Sequence, residues 1–232
     1  MLEAMAERSK KQTAGTEKSV AWERDLPRLP EPAGDLAAGL GAMLLEGAPL
    51  EDLGFSDCDV SGQRIAELTA SGVILERVSL AGCEISSLRL RDVRLVGCDL
   101  SNAMLRSFEA TRVELVGCRM VGMHAPGCRW QSVLLDHCDA RFAQLSEGRL
   151  RRTEICESHL GEAVLSRAEL TESRWMETIL RGADLNGARL AGLDLRRCEI
   201  EGMIARAEDL RGVRVTAAQA LELARLLGVV ID

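Results

Sequence analysis

Every fifth residue from Leu50 to Val215 is apolar. The series runs Leu50, Phe55, Val60, Ile65, Ala70, Leu75 and on to Leu195, Ile200, Ala205, Leu210 and Val215 without a break. With 47% apolar residues overall, chance gives such a run on the order of 10⁻¹¹ of the time, so the pattern specifies a repeat architecture. A period of five is neither the 3.6 of a helix nor the 2 of a strand. The position two before each centre is also restricted to small or apolar residues: Cys58, Val73, Val78, Cys83, Val93, Cys98, Ala103 and so on. Gln63 and Glu208, near the ends, break that rule. Two inward residues spaced by two, then outward polar ones, describe a very short strand and a turn. The position two after the centre is often glycine, as at Gly62, Gly72, Gly82 and Gly97, which supplies the positive φ of a tight corner.

The run Ala183-Asp184-Leu185-Asn186-Gly187-Ala188-Arg189-Leu190, with Cys98-Asp99-Leu100-Ser101-Asn102-Ala103, resembles the A-(D/N)-L-x-x signature of the pentapeptide-repeat family. The resemblance implies an all-β solenoid, a right-handed quadrilateral β-helix with four pentapeptides per coil. Residues 20 apart then stack at about 4.8 Å. Residues 50–215 would make about eight coils in a rod of roughly 40 Å. The chain departs from the family by favouring Leu over Phe at the centres. In this frame Trp130 has small neighbours in Ala110, Ala125 and Ala140, as a packed core requires. Trp175 has none, and the sequence offers no account of its fit.

Four segments follow. Residues 1–33 are polar, aperiodic and proline-bearing, and are expected to be disordered or loosely attached. Residues 34–49 are read as an N-terminal capping segment, with Asp35 as a candidate N-cap. The β-helix spans 50–215. Residues 216–232 hold a C-terminal helix and tail, opened by the capping box Thr216-Ala217-Ala218-Gln219 and running through Leu227 to Gly228. The helix carries a wide apolar arc, so Leu221, Leu223, Leu226 and Leu227 are candidate contacts of a homodimer, against a deeply buried cap.

Charge narrows the functional classes. The net charge is −7, without the basic footprint of a nucleic-acid binder. No apolar run is long enough to span a membrane, and no signal peptide is visible, so a cytoplasmic location is expected. There are eight cysteines but no CxxC pair. Seven of them sit two before a centre, where a small buried side chain is wanted, so they are read as reduced structural thiols. Cys98, Cys118 and Cys138 should form a ladder whose spacing does not suit a relaxed disulfide.

Stacking by 20 gathers Asp136, His137, Cys156 and Glu157 on one wall. Cys156 is the cysteine expected to point outward. A nucleophilic cysteine needs a base and an electropositive pocket, whereas Asp136, Glu154 and Glu157 make this wall acidic. Ligands on separate coils of a flat wall also converge poorly on a metal. With no phosphate loop or Ser/His/Asp arrangement, neither catalysis nor a cofactor or metal is expected. The same wall carries Val96, Glu114, Val116, Leu134, Cys156 and Met176, an apolar stripe with an acidic rim that suits a protein partner.

The sequence therefore reads as a non-enzymatic module presenting rigid faces to a protein. The alternative comes from the resemblance: some relatives mimic duplex DNA, bind type II topoisomerases such as gyrase and protect them from inhibitors. DNA carries one negative charge per roughly 1.7 Å of axis, whereas residues 50–215 are nearly balanced between carboxylates and arginines. That alternative requires arginines to gather on one wall, and Arg89, Arg91, Arg129, Arg149, Arg151 and Arg152 are expected to share a face in part, which leaves other walls more acidic.

Overall fold

The computed structural model describes residues 23–29, 40–41 and 47–227. The period of five becomes a parallel β-solenoid in which residues 20 apart pair. Its strands are β1 (Leu50–Glu51), β2 (Gly54–Ser56), β3 (Arg64–Glu76), β4 (Glu84–Val96) and β5 (Met104–Leu105). They continue as β6 (Phe108–Val116), β7 (Arg129–Asp136), β8 (Arg149–Arg151), β9 (Thr153–Cys156) and β10 (Ser173–Met176). The main ladder runs β1-β3-β4-β6-β7-β9-β10, about six turns of paired strand. Single bridges such as Asp184↔Ile204 and Asp194↔Arg214 carry the same register onward. The expected count of about eight coils thus includes turns too short to form ladder strands. The reason is local: later coils pack two corners so closely that one bridging residue remains between them.

Corners fall two residues after most centres. Glycine takes the left-handed backbone at many of them, but so do Asp92, Asn102, Arg112, Phe142, Glu162 and others. A non-glycine residue there costs on the order of 1 kcal/mol. Position in the repeat, more than residue type, sets the turn, and ladder bonds on both sides hold it. At Gly122, φ +66°, an added Cβ would meet the Asn102 amide oxygen at 2.6 Å, so a side chain there would have to displace the Asn102 amide.

The core is one continuous column of inward residues. The centres are buried from Leu50 to Ala205. Leu68, Leu88 and Phe108 occupy the inner position before them and are buried too. Phe108 meets Trp130 edge-on, with ring centroids 5.6 Å apart, while Ala110 and Leu150 lie directly above and below Trp130. Trp175 fits because its inner neighbour is small and polar. Its indole N–H donates to Ser173 Oγ at 3.0 Å, and that hydroxyl donates to the Leu170 carbonyl at 2.6 Å. Seven of the eight cysteines are buried, and Cys156 is half-buried. The ladder thiols donate to backbone carbonyls, as from Cys98 to Leu75 and from Cys138 to Leu115.

Both ends are covered. Leu40 is buried in the core at the first coil; Asp35 lies outside the described residues. At the other end, α1 (Ala217–Ala224) opens on the expected capping box, with Thr216 and Gln219 bonding reciprocally. The Gln219 amide also donates to the carbonyls of Leu195 and Cys198 at 2.7 and 2.8 Å, closing the last coil. The α-helix ends sooner than the sequence suggests: Arg225 is its C-cap and Arg225–Leu227 forms a 3₁₀ turn. Gly228 lies outside the described residues. The deeply buried alternative for this helix does not hold. None of its residues is buried, Leu223 packs only partly against the core, and Leu221 and Leu226 are exposed.

Candidate protein-binding wall

Strands β4, β6, β7, β9 and β10 share one wall, and strict pairing turns it into columns. One column reads Val96, Val116, Asp136, Cys156, Met176. Its valines, cysteine and methionine are half-buried. Asp136 interrupts the stripe between Val116 and Cys156. Leu134 belongs to the next column, which reads Arg94, Glu114, Leu134, Glu154, Arg174. The six residues of the candidate face are thus split between two parallel columns.

Asp136, His137 and Glu157 are brought together. His137 lies 2.9 Å from Asp136 through Nδ1 and 3.0 Å from Glu157 through Nε2. Cys156 stands beside Asp136 in the ladder. Burial pushes its thiol up to about 12, and Glu154, Asp136 and Glu157 add to that rise. Burial, more than the acidic wall, is the main cause. A thiol so raised is protonated at neutral pH and is a poor nucleophile. Among the described residues no group of three His, Cys, Asp or Glu side chains is placed to hold a metal ion.

Charge on the walls is interleaved. Arginines pair with carboxylates one coil away: Arg77 with Asp57, Arg112 with Asp92, Arg129 with Glu109 and Arg167 with Glu147, all between 2.6 and 2.7 Å. Arg197 with Glu177 and Arg89 with Glu67 follow the same scheme. The Arg112 guanidinium holds the Asp92 carboxyl below the usual carboxylate range, although its burial works the other way. Arg89, Arg129 and Arg149 share one column with Glu109, and Arg91 and Arg151 share a second on the same wall. Glu67, Glu109 and Glu169 pair with Arg89, Arg129 and Arg149, so the arginines gather alongside carboxylates instead of apart from them.

Nothing in the residue pattern announces what lies on this wall. Residues 23–29, part of the stretch expected to be loosely attached, run across it as a strap. Arg24 pairs with Glu114 at 3.0 Å and approaches Glu154 at 3.6 Å, its side chain only 6% exposed. Ser132 donates to Asp25 at 3.2 Å, Arg152 lies 3.5 Å from Asp25, and the Arg28 backbone N–H donates to Asp92 at 3.0 Å. Glu114 and Leu134 point outward from their coils, yet both are buried. The missed signal is weak: residues 23–29 open on three consecutive charged side chains, Glu23, Arg24 and Asp25, and have no repeat to mark their place.

Residues 163–202 match the family model for pentapeptide repeats, in eight copies. Similar solved structures include full-length QnrB1, a plasmid-mediated fluoroquinolone resistance protein. It is 20% identical over 79% of this chain and 91% of that one, with a TM-score of 0.29. HetL, a pentapeptide repeat protein involved in heterocyst differentiation regulation in the cyanobacterium Nostoc sp. strain PCC 7120, is 18% identical over 90% and 93%, with a TM-score of 0.32. Rfr23 from the cyanobacterium Cyanothece 51142 is 17% identical over 77% and 97%, with a TM-score of 0.21. No curated protein matches the chain.

Proposed function

We propose that this chain, a pentapeptide-repeat protein, is a non-enzymatic interaction module whose partner face is the wall carrying Val96, Glu114, Val116, Leu134, Cys156 and Met176. One observation carries the reading: the wall already holds an extended peptide, residues 23–29, through nearly buried charge pairs. A rigid in-register surface binds such a segment with little ordering of its own. The half-buried column of Val96, Val116, Cys156 and Met176 lies beside the strap and offers the apolar contact.

The DNA-mimic reading, with gyrase as partner, needs a long row of unopposed carboxylates. The interleaved ion pairs speak against it, because carboxylates such as Asp57, Asp92, Glu109 and Glu147 each face an arginine. A capture experiment separates the two readings. Tagged chain is incubated with lysate of its source organism, and the retained proteins are identified by mass spectrometry. A protein retained by the parent chain and lost with Val116→Glu is the expected result. Identical recovery with both chains would remove the wall from the proposal, and recovery of topoisomerase subunits would restore the alternative.

Leu221 and Leu226, exposed on α1 and the turn after it, fit a contact between two copies of the chain. We propose Leu221, Leu223, Leu226 and Leu227 for that contact. Sedimentation of Leu226→Glu against the parent tests it: a dimer that becomes a monomer is expected, and an unchanged mass removes the assignment.

A further inference from the structure

Glu114 and Glu154 lie two coils apart, with Leu134 between them. At about 4.8 Å per coil their carboxylates are too far apart for one ammonium to serve both. A guanidinium is wider. Arg24 reaches Glu114 through Nη2 and faces Glu154 through Nε, and so spans the coil that carries Leu134. Its planar face suits an apolar floor, since a guanidinium is more weakly hydrated than an ammonium. The niche is therefore shaped for arginine.

Its charge makes the occupant exchangeable. Arg94 sits 2.7 Å from Glu114, and Arg174 sits 2.8 Å from Glu154. Each glutamate keeps a cation when Arg24 leaves, so departure does not strand a buried carboxylate, the usual large cost of breaking such a pair. Arg24 is itself imperfectly satisfied, because among the described residues its buried Nε and Nη1 have no hydrogen-bond acceptor. The strap is held by the side chains of Arg24 and Asp25 and by one backbone donation from Arg28. It adds no strand to the ladder. Leu26 points away and is 56% exposed.

We propose that Glu114, Leu134 and Glu154 form an arginine-recognition site that Arg24 fills in cis, and that the partner displaces the strap with an extended segment bearing its own Arg-Asp pair. The aspartate requirement follows from Asp25, which takes Ser132 and Arg152 on the neighbouring corner column. The partner half of this proposal rests on the interaction-module reading; the arginine site does not. A tethered strap competes at the millimolar effective concentration of a linked segment, so the free chain resists ligands until the strap is displaced.

The test uses the full chain and a fluorescein-labelled peptide with the sequence of residues 23–29, Glu-Arg-Asp-Leu-Pro-Arg-Leu, read by fluorescence anisotropy. The Arg24→Ala chain, with its niche vacated, should bind the peptide at least tenfold more tightly than the parent. Adding Glu154→Gln to Arg24→Ala should reverse that gain. Citrulline in place of the first arginine of the peptide should abolish binding to Arg24→Ala, a result that no misfolded variant can imitate. Equal affinity for the parent and Arg24→Ala, or equal binding of the citrulline peptide, overturns the site. Arginine-dependent binding supports the site even when Val116→Glu leaves lysate capture unchanged, an outcome that removes only the module reading. Loss of self-association in Arg24→Ala, from a parent that dimerises, would assign the strap to a second copy and overturn the partner half.

Discussion

Trp130→Ala is expected to destabilise the chain by about 4 kcal/mol, the range for deleting a large aromatic side chain from a core. Trp130 is 2% exposed. Its cavity would lie between Ala110 and Leu150 on the adjoining coils and the edge of Phe108 beside it. Hydrogen-bonded coils on both sides fix those neighbours, so the site has little freedom to collapse, and the residual cavity carries much of the cost. The indole N–H has no hydrogen-bond partner among the described residues, so no polar contact is lost with the ring. Trp130→Phe should therefore be much milder. Urea titration of both variants is the measurement. A loss below about 1 kcal/mol for Trp130→Ala would mean that the coils close over the gap.

Stability is expected to fall steeply on the alkaline side. Burial pushes the thiol of Cys128 up to about 12 and that of Cys198 up to about 11, and Cys156 also stands at about 12. The ordinary thiol value is 9.0. A folded value above the unfolded one means that the unfolded chain releases its proton first. The contribution to stability is then complete below pH 9 and is lost as the pH rises through 11 to 12. For fully buried Cys128 the loss by pH 10.5 is about 2 kcal/mol, at 1.36 kcal/mol per unit. The urea midpoint should hold from pH 7 to 8.5 and then drop. The drop should be shallower in Cys128→Ala, which has no thiol to titrate there. A flat midpoint to pH 10.5, or the same slope in both chains, would contradict this account.

Much of the fold was legible because it is repetitive. The burial of the centres, the corners two residues on, the inward cysteines and the Thr216–Gln219 cap each follow from local spacing. Trp175 was opaque because its solution is a hydroxyl: Ser173 reads as a small filler in the pattern, yet it accepts the indole N–H. The helix end was misplaced because Arg225, Leu226 and Leu227 continue an apolar arc, while the backbone tightens after Ala224. The candidate wall was legible as a surface, but its state was not. Leu134 and Glu114 point outward by register, which predicts exposure. They are buried because the wall is covered by residues 23–29, and no periodicity announces a contact between positions 90 apart, as for Arg24 and Glu114.

That separation has a mechanical meaning. Nearly every ladder bond in the solenoid joins residues about twenty apart, so each coil senses only the next, as in other quasi-one-dimensional repeats. Arg24 touches Glu114 and Glu154 at once, and its neighbour Asp25 reaches Ser132, a span of 107 residues. The strap therefore fits only while the spacing between non-adjacent coils is kept. Bending or stretching the rod would pull Glu114 away from Glu154 and loosen the grip on Arg24. Residues 23–29 thus act as a strain gauge lying along the axis, and whatever flexes this rod also changes how readily its wall is uncovered.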